Sequence, residues 1–149
     1  MKLKEQAYAF LIPDTEAFVS GGNIYNRHLI DALRDRGHTI YESERVEDLP
    51  EGLPMLVDTL LAPALPRYLS QQSGLIVHHL QSLHPPAGWQ GTDWFREKEW
   101  PWLQHFGWYV ATSPYTAEYL LGQGVSQPVE VIEPALKQLP EVPEKVPHP

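Results

Sequence analysis

The chain has 149 residues, of which 42% are apolar and 20% charged, with 15 prolines and no cysteine. This length accommodates one domain with a hydrophobic core, and the apolar content excludes a wholly disordered chain. The absence of cysteine excludes a disulfide-stapled module, a zinc finger, an iron–sulfur site and a thiol nucleophile. A net charge of −8 disfavours nucleic acid or an anionic membrane as a partner. Because the N-terminal apolar run is short, we predict a cytoplasmic protein without a transmembrane segment.

The first part of the chain predicts a strand, a helix and a second strand. Residues 6–12 form an apolar run typical of a buried strand. A polar loop then leads to Asn23, the predicted N-cap of a helix over residues 24–36. Gly37 stands where a glycine commonly ends a helix, and residues 38–42 predict the second strand.

Strands and helices continue to alternate in the rest of the chain. The further predicted strands cover residues 55–61, 74–80, 108–112 and 129–132. Thr92 or Asp93 is predicted to cap a helix that runs to Phe106 with a bend near Pro101. Ser113, which is followed by proline, is predicted to cap the last helix.

This alternation predicts an α/β fold with a doubly wound, mainly parallel sheet between two helical layers. In such sheets a ligand lies beyond the carboxyl ends of the strands, so the segments after the strands are the candidate site. Residues 137–149 are rich in proline and typical of an extended linker. We therefore predict a domain over residues 1–136 and a linker over residues 137–149 toward a C-terminal domain that the chain lacks.

Two adjacent glycines precede the first predicted helix, in the segment VSGGNIY. The backbone N–H groups of Gly21 and Gly22, together with the helix N-terminus, suit a phosphate, and glycine allows close approach of a ligand. The segment matches neither the dinucleotide-binding fingerprint nor the P-loop. A phosphate site and a plain strand–helix turn both remain open.

Three histidines lie at or after the fourth predicted strand. In a regular strand, His78 and His79 point to opposite faces, which disfavours a paired metal site with His84. We expect His79, nearer the end of the strand, to face the cleft and His78 to pack in the sheet. The sequence predicts neither a metal site nor a cofactor.

Glu99 is a carboxylate in the middle of an apolar helical stripe. Its neighbours on this stripe are Phe95, Trp102, Leu103 and Phe106. An unpaired buried carboxylate is costly, so we expect Glu99 to face a polar partner, a cleft or the rim of the domain. The many aromatic residues nearby form either a sugar-stacking wall or part of the core.

The ordered segments SGGNIYNRHLIDALRDRGHTI, LIVHHL, EWPWLQHFGWYVATSPYTAEYLLGQGV and VEVIEPAL resemble the N-terminal half of a retaining GT-B glycosyltransferase of family four. The resemblance covers roughly residues 6 to 136. The matching positions are Gly21, Gly22, Tyr25, Arg36, Gly37, His38, His79, Glu99, Thr112, Ser113, Val131, Ile132 and Pro134.

The resemblance implies the first of two Rossmann-like domains, which mostly binds the acceptor while the second holds the nucleotide-sugar donor. It implies metal-independent transfer, with retention, to a sugar, lipid or small-molecule acceptor. Gly21 and Gly22 would contact the donor phosphates, and His79 would be the catalytic residue. The residues implied to lie on the acceptor side or to support the site are Asn23, Tyr25, Glu99 and Ser113. Because the main donor-binding residues of that family belong to the second domain, we expect this chain alone to be inactive.

Two other hypotheses remain open at this point. The chain is alternatively a complete α/β binding or interaction module without catalysis. It is also compatible with a small nucleotide- or phosphate-dependent enzyme whose site matches no known motif. The sequence identifies neither the donor sugar nor the acceptor.

Overall fold

The computed structural model describes residues 6–15 and 20–133, so the predicted linker over residues 137–149 lies outside the described residues. The strands are β1 (Ala7–Leu11), β2 (Thr39–Ser43), β3 (Met55–Asp58), β4 (Ser73–Val77), β5 (Trp108–Ala111) and β6 (Val129–Val131). The helices are α1 (Gly21–Asp35), α2 (Arg67–Ser70), α3 (Gly91–Trp94), α4 (Trp100–Leu103) and α5 (Pro114–Gly122). None of the helices in these two ranges is long and apolar enough to cross a membrane.

The strands form one parallel sheet in the order β2-β1-β3-β4-β5-β6. This confirms the predicted fold class, a Rossmann-like α/β domain with three layers. The chain moves outward from β1 to β2, then crosses back and continues from β3 to β6 in the other direction. The sheet therefore has a topological switch point between β1 and β3, where such folds leave a crevice beyond the carboxyl ends of the strands.

The strands bury side chains on both faces of the sheet, as period-two alternation requires. Leu11, Val57 and Leu75 belong to the larger core cluster, on one face of the sheet. This cluster also contains Leu103 from α4 and Leu120 from α5. The side chains that point to the other face form the second cluster, which packs against α1. Its members from the sheet side are Phe10, Ile12, Ile40, Leu56, Ile76 and Val110. Helices on both faces follow from this two-sided burial.

The start of α1 differs from the prediction. The helix begins at Gly21, and its N-cap is Ser20, whose side chain accepts a hydrogen bond from the Asn23 N–H at 3.1 Å. Ser20 has extended backbone angles, which bring its short side chain next to the free N–H groups of the first turn. The prediction of Asn23 as the cap is therefore wrong, and Asn23 is buried within that turn.

The predicted helix between β4 and β5 consists of three short segments. A π-helical segment, Phe95–Glu99, joins α3 to α4. No side chain caps α3, whose N-cap residue is Gln90, so the predicted caps Thr92 and Asp93 are wrong. Pro101 directly follows the π-helical segment at the start of α4, and its ring nitrogen has no N–H to bond to the preceding turn.

Other predicted boundaries are confirmed. Ser113 caps α5 by accepting a hydrogen bond from the Thr116 N–H at 3.2 Å. Gly37 and Gly124, which follow α1 and α5, have φ angles of 91° and 99°. Only glycine adopts this left-handed region at low cost, so these two residues end their helices.

Candidate functional site

A cavity of about 550 Å³ opens at the carboxyl edge of the sheet, beside the switch point between β1 and β3. Its size is that of a small-molecule site. The segments after β1, β3 and β4, the first turn of α1 and the π-helical segment all contribute to it. It is lined by Pro13, Ser20, Gly22, Asn23, Asp58, Thr59, Leu60, Pro63, His78, His79, Leu80, Gln81, Trp94, Lys98, Glu99 and Trp102.

A hydrogen-bonded group of Asn26, Asp58 and His78 lies at one side of the cavity. Nδ2 of Asn26 donates to Oδ2 of Asp58 at 2.9 Å. Nε2 of His78 lies 2.9 Å from Oδ1 of Asn26 and 3.3 Å from Oδ2 of Asp58. Since both of these oxygens accept hydrogen bonds, Nε2 carries the proton, and Nδ1 is the acceptor in the neutral ring.

Asp58 is the charged member of this group. Burial raises the pKa of its carboxyl, but hydrogen bonds from His78, the Leu60 N–H and Asn26 outweigh burial and bring the pKa below its ordinary value of 3.8. The Leu60 N–H donates to Oδ1 at 2.8 Å. Asp58 is therefore a carboxylate at neutral pH, and it fixes the orientation of the imidazole.

Gly22 lies against the ring of His78. A methyl group at Gly22 would lie 3.5 Å from Cδ2 of His78, which is ordinary van der Waals contact. The ring of Tyr25 packs edge-on against His78, with ring centres 5.2 Å apart. The Tyr25 hydroxyl donates to the carbonyl of Ile132 at 2.7 Å, and burial raises its pKa to about 12. His78 is thus held in place from several sides.

Glu99 is buried on the other side of the cavity, with 5% of its surface exposed. Its Oε1 atom has no hydrogen-bond partner among the described residues. Nearby, the Tyr119 hydroxyl donates to Oγ of Ser82 at 2.6 Å instead. Burial raises the pKa of Tyr119, the hydrogen bond with Ser82 lowers it, and the negative charge of Glu99 raises it further.

The aromatic residues around Glu99 divide into two groups. Phe95 and Phe106 belong to the core, whereas Trp94 and Trp102 are half-buried and line the cavity. Nε1 of Trp102 donates to the carbonyl of Lys98 at 3.0 Å. The cavity therefore combines apolar indole surface with the polar groups described above.

The structure brings some of the sequence-predicted site residues together and not others. Gly22, Asn23, His79 and Glu99 line the cavity. The predicted residues that are not part of its lining are Gly21, Tyr25 and Ser113. Four predicted residues from three separate segments thus meet in one cavity.

The prediction that His78 and His79 point to opposite faces of a strand is wrong. Strand β4 ends at Val77, so alternation no longer applies to the two histidines, and both line the cavity. His78 is part of the polar group with Asp58 rather than of the sheet interior. His79 is exposed, and its ring stacks on His84 with ring centres 6.1 Å apart.

Sequence reasoning did not identify Asn26 and Asp58. Asp58 does carry a signal, because it ends an apolar strand at the sheet edge where ligands bind. Asn26 lies four residues before Ile30 on the buried face of α1, and a polar residue on such a face requires a partner.

Cations and metal ligands are few around the site. Arg27, the cation nearest to the glycines in sequence, is engaged by Glu42 at 2.8 Å and by Asp31 at 3.4 Å. Lys98 lines the cavity, and its Nζ lies 5.7 Å from the ring centre of Trp89. Within residues 6–15 and 20–133, no three histidine or carboxylate side chains are arranged to hold a metal ion.

The fold and the cavity define a class: a doubly wound α/β domain with a cleft of about 550 Å³ at its switch point. No protein-family model matches the chain, and neither a curated protein nor a solved structure matched it in comparisons. The class therefore rests on the chain's own topology and on the geometry of its cavity.

Proposed function

We propose that the chain is the acceptor-binding, N-terminal domain of a glycosyltransferase that moves a sugar from a nucleotide-sugar donor to an acceptor with retention. One observation carries this proposal. The resemblance to family-four GT-B enzymes implies a set of site residues, and four of them, Gly22, Asn23, His79 and Glu99, line a single cavity at the switch point. These residues come from three segments that are far apart in the sequence, so a local pattern alone does not bring them together.

The first turn of α1 is the proposed contact for the donor phosphates. The N–H groups of Gly21 and Gly22 are at the start of the helix and have no acceptor within it, and the helix dipole favours an anion there. Gly22 is the one of the pair that lines the cavity. His79, at the rim, contacts the reacting sugar or the acceptor in this proposal, and His78 shapes the wall behind Gly22.

The chain alone binds the donor weakly in this proposal. A diphosphate is usually held by free arginine or lysine side chains, and Arg27 is already paired with Glu42 and Asp31. We therefore expect that the isolated chain neither hydrolyses nor transfers from sugar nucleotides. Catalysis requires donor-binding groups that another domain supplies.

A binding module without catalysis is the second candidate function. The observation that favours it is the same pairing of Arg27, because it leaves the glycine turn without a free arginine. In that case the cavity binds an uncharged ligand, and a phosphate group on the ligand does not increase its affinity. The two candidates differ in whether a nucleotide diphosphate contacts Gly22.

The test is a titration of the ¹⁵N-labelled chain with UDP, UDP-glucose and GDP-mannose, followed by NMR. We expect weak binding that shifts the backbone amide of Gly22. Gly22→Ala should weaken this effect, because its methyl group fills space between the start of α1 and the His78 ring at the cavity wall. Gly21→Ala is the matched control, since a methyl group there meets no atom within 4 Å. Both variants should fold, because alanine is favoured over glycine in a helix by about 0.5–1 kcal/mol.

Three outcomes would contradict the proposal. If no nucleotide shifts the Gly22 amide, the donor-phosphate role fails and the binding module is favoured. If Gly22→Ala binds the nucleotides as well as the unaltered chain does, the contact lies elsewhere. A micromolar dissociation constant for any of the three nucleotides would show that the chain holds the donor without a second domain.

A further inference from the structure

The oxygen Oε1 of Glu99 is a buried hydrogen-bond acceptor to which no described residue donates. A carboxylate oxygen buried in this way is unfavourable unless something pairs with it. Glu99 is more than nine-tenths buried and still forms part of the cavity lining. The cavity is therefore where a partner for Oε1 can come from.

Two protein donors in this region already have other acceptors. The Tyr119 hydroxyl donates to Ser82, and the Trp102 indole N–H donates to the carbonyl of Lys98. Neither group can satisfy Oε1 without losing its present hydrogen bond. A molecule in the cavity can donate to Oε1 at no such cost.

The local backbone is also unusual at this point. Glu99 is the last residue of the π-helical segment Phe95–Glu99, whereas Glu97 in the same segment is exposed. Single turns of π-helix interrupt a regular helix at some cost and are frequent at functional sites. Here the segment ends with a carboxylate buried at the cavity wall.

We infer that Glu99, with Trp94 and Trp102, forms a subsite for a neutral, hydroxyl-bearing sugar ring. A ring hydroxyl donates to Oε1 of Glu99, and the apolar C–H face of the ring packs against indole surface. This inference deepens the proposed function and rests on it, because it names the acceptor class as a pyranoside.

Other ligand classes fit this side of the cavity less well. A phosphate is repelled by the carboxylate of Glu99, and an apolar ligand leaves Oε1 unpaired. A cation meets Lys98 in the same lining, and the second carboxylate, Asp58, already accepts hydrogen bonds at both of its oxygens. A neutral hydroxyl group satisfies Oε1 without any of these conflicts.

The experiment is a titration with the methyl α-glycosides of glucose, mannose and galactose. The indole N–H signals of Trp94 and Trp102 report binding by NMR, and Trp94→Phe and Trp102→Phe identify these signals. We expect at least one glycoside to shift both indole signals in a saturable way. Cyclohexanol, a ring with one hydroxyl, is the control ligand and should bind more weakly.

Substitutions at Glu99 then test the carboxylate itself. Glu99→Leu removes the acceptor and should weaken glycoside binding at least about tenfold. Glu99→Gln keeps the size of the side chain with a weaker acceptor and should have a smaller effect in the same direction. Glu97→Gln is the matched control on the same segment and should leave binding unchanged. Thermal unfolding of each variant establishes that it is folded. If Glu99→Leu does not fold, Glu99→Gln alone tests the carboxylate.

The inference is overturned if none of the three glycosides shifts the two indole signals. It is also overturned if glycosides bind the Glu99 variants and the unaltered chain equally well. The nucleotide titration separates this result from the proposed function. If nucleotides shift Gly22 while glycosides leave the indoles unchanged, only the inference fails. If glycosides bind through Glu99 while nucleotides have no effect, the subsite stands and the glycosyltransferase proposal fails.

Discussion

Two buried carboxylates face the same cavity, and their hydrogen bonding sets them apart. Asp58 accepts from Asn26, from the Leu60 N–H and from the His78 ring, so both of its oxygens are paired within the protein. Glu99 has a buried oxygen without a donor. The first carboxylate therefore holds its neighbours in place, whereas the second is available to a ligand. At the scale of single residues, chemically similar groups have different roles because their surroundings differ.

Asp58→Asn should destabilise the protein by about 1–3 kcal/mol at neutral pH. The substitution replaces the charged carboxylate that accepts from Asn26, the Leu60 N–H and His78 with a neutral amide. The folded pKa of Asp58 lies below its ordinary value of 3.8. Its stabilising contribution is therefore present at neutral pH and is lost as the pH falls from that value through the folded pKa. The variant should consequently lose less stability than the unaltered chain in acid. Urea unfolding between about pH 3 and pH 7 measures both effects.

Glu51→Gln, at an exposed turn outside the helices, is the control for this prediction, and its stability should follow that of the unaltered chain. Identical acid dependence in Asp58→Asn and the unaltered chain would show that Asp58 has no special pairing in the folded state.

At the scale of elements, the start of α1 combines a structural and a proposed functional role. Ser20 caps the turn, Gly22 lines the cavity and Tyr25 contacts both His78 and the carbonyl of Ile132. The position of the helix start therefore decides which backbone N–H groups line the cavity at this edge. A start three residues later, as the sequence predicted, would take the glycines out of the helix.

Ser20→Ala should lower the free energy of unfolding by about 0.5–2 kcal/mol, because the Asn23 N–H loses its acceptor at the helix start. Thr92→Ala is the matched control. Thr92 is exposed within α3 and caps nothing, so its replacement should change stability by less than about 0.5 kcal/mol. Chemical denaturation followed by circular dichroism compares the two. Equal effects of the two substitutions would contradict the role of Ser20 as the cap.

At the scale of the whole molecule, the sheet joins two core layers into one unit. Strands β1, β3, β4 and β5 each contribute buried side chains to both clusters. Loss of the sheet interior therefore disrupts both layers at once, and we expect a single cooperative unfolding transition. Gly74 in β4 is paired directly with Trp108 in β5, and its lack of a side chain leaves room for the indole.

Gly74→Ala should destabilise the protein by about 1–3 kcal/mol, the usual range for an overpacked site. A methyl group at Gly74 would overlap the indole of Trp108, which is half-buried on the sheet. The control is Gly122→Ala at the end of α5, where a methyl group meets no atom within 4 Å. That variant should be as stable as the unaltered chain or more stable, because alanine is favoured in helices.

Thermal unfolding followed by tryptophan fluorescence and by far-ultraviolet circular dichroism tests this prediction. The two signals should change together in each variant, and the transition of Gly74→Ala should occur at a clearly lower temperature. Two separate transitions would contradict a single unit, and equal melting temperatures of the two variants would contradict the overlap with Trp108.

The sequence alone determined the six strands, the presence of the first and last helices and the fold class. Apolar runs, the Ser113 cap and the glycines at positions 37 and 124 act within a few residues of themselves, so their effect is visible in the local pattern. The predicted ends of β3 and β4, residues 61 and 80, lie three residues beyond the observed ends at Asp58 and Val77, because apolar residues recur after both positions. Glu99 and Gly22 were identified as unusual, because an acid in an apolar stripe and a glycine at a helix start stand out locally.

Only the tertiary structure decided which of these residues meet. Asn26 pairs with Asp58 across 32 positions of sequence and with His78 across 52. These contacts exist because β1 lies between β2 and β3, which brings the ends of β3 and β4 beside the N-terminal half of α1. The unpaired oxygen of Glu99 is likewise a property of its surroundings, since no local pattern states which donors lie within reach. Periodicity and capping depend on neighbours in the chain, whereas hydrogen-bond partners at a site depend on how distant segments pack.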